Sequence, residues 1–581
     1  MAKPVTRIYF GNSTAIEATG YVRGVTTSRG KSRELDRFDA GQFSIVLDNR
    51  NRYFDPTYTD STTRTNLVKN PIPSTSVAVS PQESWQLLNR GTGGAGTTTL
   101  TASGAVDTVT TAASTVVYSF GVTGATTAQR IQVTAGLTYS FSLYVTSSVN
   151  DVRRLAATFY DAGGTSLGDV AVGVGQTLTA GVETRLVGTY TAPAGAVSVR
   201  MYGGNTTGSI IRPLNSTMTW RKAMVEQSST VGTYFSGNDT DTNYQDYAWS
   251  GTAEASTSTE ITYANPFYNA IKLRQLIRIV SQGGFVICGY ITDWDLAYDV
   301  GGDSIATAIG ADGFMFMAQQ ALDDFTPAVQ KSGARISAAL ARPNCGLPFF
   351  ATQSIATGLV DMVDDPVTAG TNLLEYLQNV EQSERGSLFF GRSNDLKFYA
   401  SNGGTTSSTT FTDTGSDIPY NAISVNYGSD YLYNSISLEN TALDTGTAEN
   451  ASSITDYGQV YYSESGLLVN DPVELQSQAD VLATRYGTPE YRFDAITVNL
   501  NGLIQAQQDE LLALELVDRV NVEFTPNRVG SVITKTCTII GIDHQISVDQ
   551  HVVVFKFASA DNGQFILDDD FYGLLDYNLL G

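Results

Sequence analysis

The sequence predicts a mainly β protein with α+β parts, in which one β-rich domain is interrupted by an all-β sandwich. Short runs of alternating apolar and polar residues recur on both sides of residue 65. Charged residues fall to 22 of 195 between residues 66 and 260, and helical periodicity appears only after residue 310. With 581 residues, 42% of them hydrophobic, the chain is long enough to bury several cores.

Residues 1–64 and 261–310 are predicted to form one discontinuous β domain. Phe43, Ile45 and Leu47 alternate with polar residues and lead into a turn at Asp48 and Asn49. Apolar runs of the same kind resume after residue 270. Because an insertion at an exposed loop tip costs little closure entropy, we expect residues 66–255 to be a sandwich inserted into this domain.

Helical patterns appear in the remaining chain. Residues 311–500 are predicted to form mixed α/β domains, and residues 501–581 a small β-barrel or sandwich with a terminal extension. The predicted helices cover residues 312–322, 327–340, 372–384, 472–486 and 504–517. The second is expected to begin at Thr326 and Pro327, a capping residue followed by proline at the first helical position.

The net charge of −23 resides in the last part of the chain, where residues 361–581 contain 9 Lys+Arg and 32 Asp+Glu. Such a body repels phosphate backbones, so sequence-independent nucleic-acid binding is not expected. A local basic patch has two interpretations, a solvated strand pair or a contact with an acidic neighbouring subunit. Its residues are Arg23, Arg29, Lys31, Arg33 and Arg37.

Several enzyme classes lack their residues here, and no catalytic site, cofactor or metal is predicted. The chain has two histidines, His544 and His551, so it has too few histidines for most zinc hydrolase sites and few candidates for a Ser-His-Asp triad. These histidines are expected to form a structural cross-strand pair. The run from Asn238 to Asn243 begins like a calcium loop but lacks its glycine and distal glutamate, so a linker is favoured.

Aromatic residues of the predicted sandwich are the candidates for binding. Sugars stack on exposed aromatic rings, and a core position is the alternative for each ring. At Trp220 the alternation with Met218 and Met224 favours the core, whereas at Trp85 the two interpretations are balanced. The carbohydrate-binding candidates are Trp85, Tyr118, Tyr144, Tyr202 and Trp220.

The segment SRELDRFDAGQFSIVLDNRNRYFDP, residues 32–56, resembles a segment near the start of minor tail proteins of siphophages that infect actinobacteria. The terminal residues 565–581 resemble the end of the same proteins, with Asp570 where they typically have proline. GIDHQIS at residues 541–547 is similar to their last hub-domain hairpin. Residues 370–377 and 396–398 also fit.

This resemblance implies a tail hub, a ring-forming and usually trimeric virion protein that closes the distal tail tube. It implies small β-barrel domains, mixed α/β domains, and partners among the distal tail ring, the tape-measure protein and other minor tail proteins. Genome DNA would be in contact only in passage, and an acidic lumen would let it pass. The chain is expected to be made in the host cytoplasm, without stable membrane insertion, and to reside at the tail tip.

Residues 66–235 resemble galactose-binding-like jelly rolls of the carbohydrate-binding-module type. The segments that carry this likeness are NLVKNP (66–71), AGLTYSF (135–141), APAG (192–195) and AMVE (223–226). It implies attachment to host cell-wall polysaccharide.

Two alternative functions remain for the whole chain. One is a distal tail ring or other minor tail protein of the baseplate. The other is a secreted glycan-binding adhesin or glycoside hydrolase, and a hydrolase would need a signal peptide and a catalytic constellation.

Overall fold

The computed structural model describes residues 3–12, 15–72, 84–89, 91–101, 103–116, 119–123, 126, 129–401, 403–414 and 417–560. The chain divides into two compact units. Unit 1 comprises Met1–Tyr58 and Ala270–Gly581, and unit 2 comprises Thr59–Asn269. Strands hold 46% of the described residues and helices 12%, which confirms the mainly β class with α+β parts.

The first segment of unit 1 contains β1 (Thr6–Phe10), β2 (Ile16–Glu17), β3 (Val22–Gly30) and β4 (Asp39–Asp48). Unit 2 contains β5 (Ser61–Asn66), β6 (Ser84–Asn89), β7 (Ala95–Thr101), β8 (Gly104–Thr111), β9 (Ser119–Thr123), β10 (Ile131–Gln132), β11 (Thr138–Ser147), β12 (Asp151–Tyr160), β13 (Ser166–Ala171), β14 (Gln176–Leu178), β15 (Glu183–Thr191), β16 (Ser198–Asn205), β17 (Thr217–Glu226), β18 (Gln245–Trp249) and β19 (Ser258–Tyr263).

The second segment of unit 1 contains β20 (Leu276–Ser281), β21 (Gly284–Ala297), β22 (Ile305–Ala311), β23 (Gln330–Lys331), β24 (Thr352–Ile355), β25 (Asp361–Met362), β26 (Ser387–Phe390), β27 (Asp395–Tyr399), β28 (Thr406–Thr412), β29 (Ile418–Pro419), β30 (Ala422–Tyr427), β31 (Ser435–Asn440), β32 (Thr445–Glu449), β33 (Tyr461–Leu467), β34 (Tyr491–Asn499), β35 (Arg519–Phe524), β36 (Ile533–Ser547) and β37 (His551–Ser559). Its helices are α1 (Phe314–Met317), α2 (Ser332–Leu340), α3 (Leu373–Glu384), α4 (Ala451–Tyr457), α5 (Pro472–Tyr486) and α6 (Gln505–Ala513). None of these helices combines the length and hydrophobicity needed to cross a bilayer, in the part of the chain that the structure describes.

Unit 1 is built on a 14-stranded sheet that joins the two segments of the chain. Its main order is β2-β1-β20-β21-β22-β4-β3-β36-β35-β28-β29, so the hairpin β3–β4 lies between β22 and β36. β4 pairs with β22 over seven residues, and β3 pairs with β36 from Gly24 opposite Ser547 to Gly30 opposite Gly541. Strands from opposite ends of the described sequence are therefore neighbours in this sheet.

The described strands of unit 1 form no closed barrel, and the prediction of β-barrel domains is wrong on this point. The main path ends at β2 and β29, which do not pair with each other. β36 causes a branch because its first half pairs with β35 and its second half with β3, while β37 pairs along its other edge. The predicted domain boundaries near residues 310 and 500 stay predictions.

Two of the predicted helices are found at their predicted spans, whereas the predicted start of the second helix at Thr326 and Pro327 is wrong. α3 and α5 match the predicted spans, with Asn372 and Asp471 as side-chain caps. α2 begins only at Ser332, because Gln330 and Lys331 pair as a short strand with β25. α1 is a single turn, and α4, capped by the side chain of Asn450, was not predicted.

A buried ion pair fixes the hairpin β3–β4 in unit 1. The Arg29 guanidinium donates to Glu515 Oε1 at 2.5 Å and to the Phe390 carbonyl at 3.2 Å. Glu515 also accepts the backbone N–H of Arg392 and Leu516. Burial opposes ionisation of Glu515, but Arg29 and these N–H groups hold its pKa below the ordinary value. The pair thus connects three separate segments of unit 1.

Two residues of the predicted basic patch, Arg23 and Arg29, are neutralised by carboxylates within the chain, whereas Arg33 is exposed. Besides Arg29, Arg23 pairs with Asp303 at 2.6 Å. Arg37 donates to the side chain of Gln382 at 2.9 Å, and the Lys31 ammonium lies 4.9 Å from the centre of the Phe38 ring. These contacts leave a weaker basic surface than the sequence indicated.

His544 on β36 and His551 on β37 form the predicted cross-strand pair. His544 Nδ1 lies 3.0 Å from His551 Nε2, and both side chains are buried. Burial lowers the pKa of both rings, that of His551 to about 4, and the positive charges of Arg29 and Arg392 act in the same direction on His544. Both rings are therefore neutral at pH 7.

Unit 2 is a two-sheet sandwich with its own core. One sheet has the order β13-β12-β16-β9-β6, with β10 and β14 at its side, and the other the order β15-β11-β17-β8-β7. Phe141 meets Phe159 edge to face across the sheets, and Phe120 stacks on Trp220. The chain enters along β5 and leaves along β19, which are paired antiparallel strands, so the two ends of the unit lie side by side.

We predict that Glu515→Ala destabilises the contact between β3 and β36 strongly. It leaves the Arg29 charge buried without a counter-charge, which typically costs about 3–5 kcal/mol. Hydrogen exchange of peptides from β3 and β36 should therefore accelerate by roughly 10²- to 10³-fold. The control is Arg50→Met, which removes an exposed partner of Asp48 and should cost less than about 1 kcal/mol. Equal effects of the two substitutions would contradict the assignment.

The histidine pair predicts loss of stability in acid. The folded-state pKa is depressed, so the unfolded chain binds more protons, and the stabilisation present above about pH 6.5 is lost as the pH falls toward about 4. The shift of His551 corresponds to about 3 kcal/mol at most. The free energy of unfolding is measured by urea titration followed by circular dichroism. Over this pH range it should fall less for His551→Gln than for the wild type. Parallel pH profiles would show that the histidines do not titrate on unfolding.

Candidate functional site

The seven-stranded sheet of unit 2 has one face in the core and one face outside. On β12, Leu155, Ala157 and Phe159 are fully buried in the core, and on β16 Val199 and Met201 are too. Because side chains alternate along a strand, the residues between them lie on the outer face.

A groove of about 370 Å³ lies on this outer face. Its walls come from β9, β12, β13 and β16, so residues distant in sequence meet there. The lining residues are Ser119, Arg154, Ala156, Asp169, Val170, Ala171, Arg200, Tyr202, Gly204 and Asn205.

The floor of the groove is shaped by small residues around Tyr202. Ala156 and Gly121 are its direct neighbours on the two adjoining strands. A Cβ added to Gly204 would lie 3.5 Å from both the Ala156 Cβ and the Tyr202 ring. The absence of that Cβ keeps the space above the ring open.

Polar groups surround this floor. The Thr158 hydroxyl donates to Asp169 and accepts from Arg200 Nε at 3.2 Å. Burial raises the pKa of Tyr202, whose hydroxyl interacts with Thr158 and Asp169. The Arg154 Nε is buried and has no hydrogen-bond partner among the described residues. The groove can therefore donate hydrogen bonds from two guanidinium groups and accept them at one exposed carboxylate.

Of the five aromatic candidates, Tyr202 lies in the groove, with 8% of its surface exposed. The ring therefore offers little stacking area, which differs from the predicted stacking platform.

Trp85 and Trp220 lie in the hydrophobic core of unit 2, which was the alternative to sugar binding. Their exposed fractions are 6% and 2%, and Trp85 donates its ring N–H to the Asn70 carbonyl at 2.8 Å. Gly203 makes room for Trp220, since an added Cβ would lie 2.1 Å from its ring. The prediction that these two rings bind sugar is wrong, because neither has a free face.

Tyr144 lies on the other sheet, away from the groove. It is half-buried on β11, and the cations of Arg185 and Lys222 lie 5.4 and 5.0 Å from its ring centre. Its pairing with Arg185 on β15 places it on the five-stranded sheet. Tyr118 lies outside the described residues.

The predicted linker around residues 238–243 uses its oxygens internally. Asp239 accepts the Ser236 N–H, Asp241 accepts the Tyr247 N–H, and Asn238 accepts the Trp249 ring N–H. Within the described ranges, no group of three or more His, Cys, Asp or Glu residues is placed to hold a metal ion.

Sequence reasoning missed the two arginines of the groove. A signal was present, because Arg154, Ala156 and Thr158 alternate with buried residues, as do Arg200 and Tyr202. Polar and small residues on the non-core face of two strands indicate a functional face only once the strands are known to be neighbours.

No protein-family model matches this sequence, and no curated protein matches it significantly. Solved structures with a similar fold include a tail protein from Neisseria meningitidis MC58, at 13% identity and a TM-score of 0.38, covering 50% of this chain and 85% of that one. The 43 kDa tail protein of prophage MuSo2 from Shewanella oneidensis has 13% identity and a TM-score of 0.35, covering 50% and 84%.

A third similar structure is the CBM22-1 xylan-binding domain from Paenibacillus barcinonensis Xyn10C. It has 12% identity and a TM-score of 0.19, and the match covers 30% of this chain and 97% of that domain. At such identities and TM-scores, these similarities concern parts of the fold and assign no function.

Proposed function

We propose that this chain is a structural component of a phage tail, a ring-forming hub at the tail tip, which displays unit 2 to bind glycans on the host surface. The chain acts by assembly and binding, without catalysis. Its partners are further copies of itself, usually three in proteins of this kind, the distal tail ring, the tape-measure protein and other minor tail proteins.

One observation supports the tail assignment above others. Residues 32–56 and 541–547 carry the resemblance to minor tail proteins, although some 500 residues separate them in sequence. In the fold, β4 belongs to the first segment and residues 541–547 belong to β36, and β3, which precedes the first segment, pairs with both strands. Segments chosen by resemblance alone therefore belong to one sheet, as they would in a shared domain.

The binding assignment is supported by the groove of unit 2. It is open, polar and lined from four strands, and its donors and acceptors suit a polyhydroxylated ligand. A small groove with one partly buried ring favours weak binding, and a millimolar Kd corresponds to about −4 kcal/mol. Several copies around one axis would raise the avidity by about 10²- to 10⁴-fold if they reach neighbouring glycans together.

We predict that Gly204→Leu abolishes binding of the full chain to actinobacterial cell walls. The backbone at Gly204 needs no positive φ, and an added Cβ makes only ordinary contacts, so the larger side chain fills the groove without straining the fold. Binding is measured by co-sedimentation with purified cell walls.

The matched control is Gly163→Leu in an exposed turn of the same unit. Its added Cβ comes no closer than 3.4 Å to the Asp161 carboxylate, and it lies outside the groove. It should bind as the wild type does. Co-sedimentation of the Gly204 variant at wild-type level, or absence of wild-type binding, would refute the glycan-binding role of the groove.

A further inference from the structure

The groove of unit 2 contains arginines that lack the partners found elsewhere in the same unit. Four other arginines of unit 2 each form an ion pair with a carboxylate. These pairs are Arg64 with Glu226 and Glu260, Arg153 with Asp151, Arg212 with Asp107, and Arg221 with Glu183. An ion pair with a carboxylate is thus one arrangement of arginine in this sandwich, and Arg185 shows another, since it donates to the Ser142 hydroxyl and the Gly232 carbonyl.

Arg154 and Arg200 likewise have no ion pair, and both line the groove. Neither has a carboxylate within 4.0 Å among the described residues, and the buried Nε of Arg154 has no acceptor. Two positive charges without carboxylate partners therefore line one groove.

The surroundings increase the positive character of this face. Arg130 and Arg200 both lie over the ring of Tyr160, at 3.5 and 5.4 Å from its centre. The opposing charge is Asp169, which is exposed and accepts the Thr158 hydroxyl. Unit 2 as a whole contains 11 Lys+Arg and 13 Asp+Glu, so the strongly acidic part of the chain, residues 361–581, lies outside it.

Stacking cannot supply the main recognition here. Tyr202, the aromatic residue of the groove, exposes 8% of its surface, and the other apolar lining consists of alanine, valine and glycine. A neutral sugar would find little stacking area, whereas guanidinium groups bind carboxylates and phosphates with paired, charge-assisted hydrogen bonds.

We propose that the groove binds an anionic polysaccharide, with Arg154 and Arg200 binding its acidic groups and Asp169 and Asn205 facing its hydroxyls. This inference rests on the proposed function, and it specifies the ligand class of the same site. The acidic group is a carboxylate of a uronic acid or a phosphodiester of a sugar–phosphate polymer, which share the geometry that guanidinium recognises.

The test is isothermal titration calorimetry of the full chain at low salt with three probes. These are polygalacturonate, which carries carboxylates, polyglycerol phosphate, which carries phosphodiesters, and neutral xylan. At least one anionic probe should bind about tenfold or more tightly than xylan, and the better one identifies the acidic group. Arg154→Gln and Arg200→Gln should each weaken that binding by about tenfold, since each removes a charged donor.

Arg221→Gln is the matched control, because it removes the same charge from unit 2 at a position paired with Glu183, outside the groove. It should leave binding of the anionic probe within about twofold of the wild type. Equal or tighter binding of xylan, or anionic binding that both groove variants retain, would overturn the anionic-ligand proposal. In that case, cell-wall binding that Gly204→Leu abolishes would still support the proposed function. If the wild type does not bind cell walls, both the proposed function and the anionic-ligand proposal are refuted.

Discussion

The pairing of β3 with β36 is the contact on which unit 1 depends. It joins the first fifty residues to the last described strands, and the hairpin β3–β4 fills the middle of the sheet between β22 and β36. The buried Arg29–Glu515 pair lies at this junction and would be costly to leave half-made. Unit 1 is therefore a single cooperative structure made from two segments of chain.

This constraint explains how the chain accommodates unit 2. The inserted segment enters and leaves through paired strands, β5 and β19, so its two ends are already neighbours. Each unit also has its own hydrophobic core, and among the described residues these two cores have no member in common. A unit inserted in this way adds a separate folded body at little entropic cost to the sheet of unit 1.

The sequence predicted the features that depend on local pattern. Alternation identified the strands and the class, and helical patterns located α3 and α5, which the structure shows to be capped by Asn372 and Asp471. Barrel closure was predicted wrongly because it depends on which strand edges meet. Of the aromatic candidates, Tyr202 lines the groove, whereas Trp85 and Trp220 are core residues. Arg154 and Arg200, which line the same groove as Tyr202, were not predicted. The groove is assembled from four strands, and no local sequence pattern encodes the order of those strands.

The most direct test of a tail component that displays a binding unit is its position on the virion. Phage particles that carry this protein would be treated with a gold-conjugated antibody fragment raised against unit 2, and imaged by negative-stain electron microscopy. The account predicts gold clustered at the tip of the tail, away from the capsid. Gold on the capsid, gold spread evenly along the tail tube, or unlabelled particles that react with antibodies to other virion proteins would contradict it.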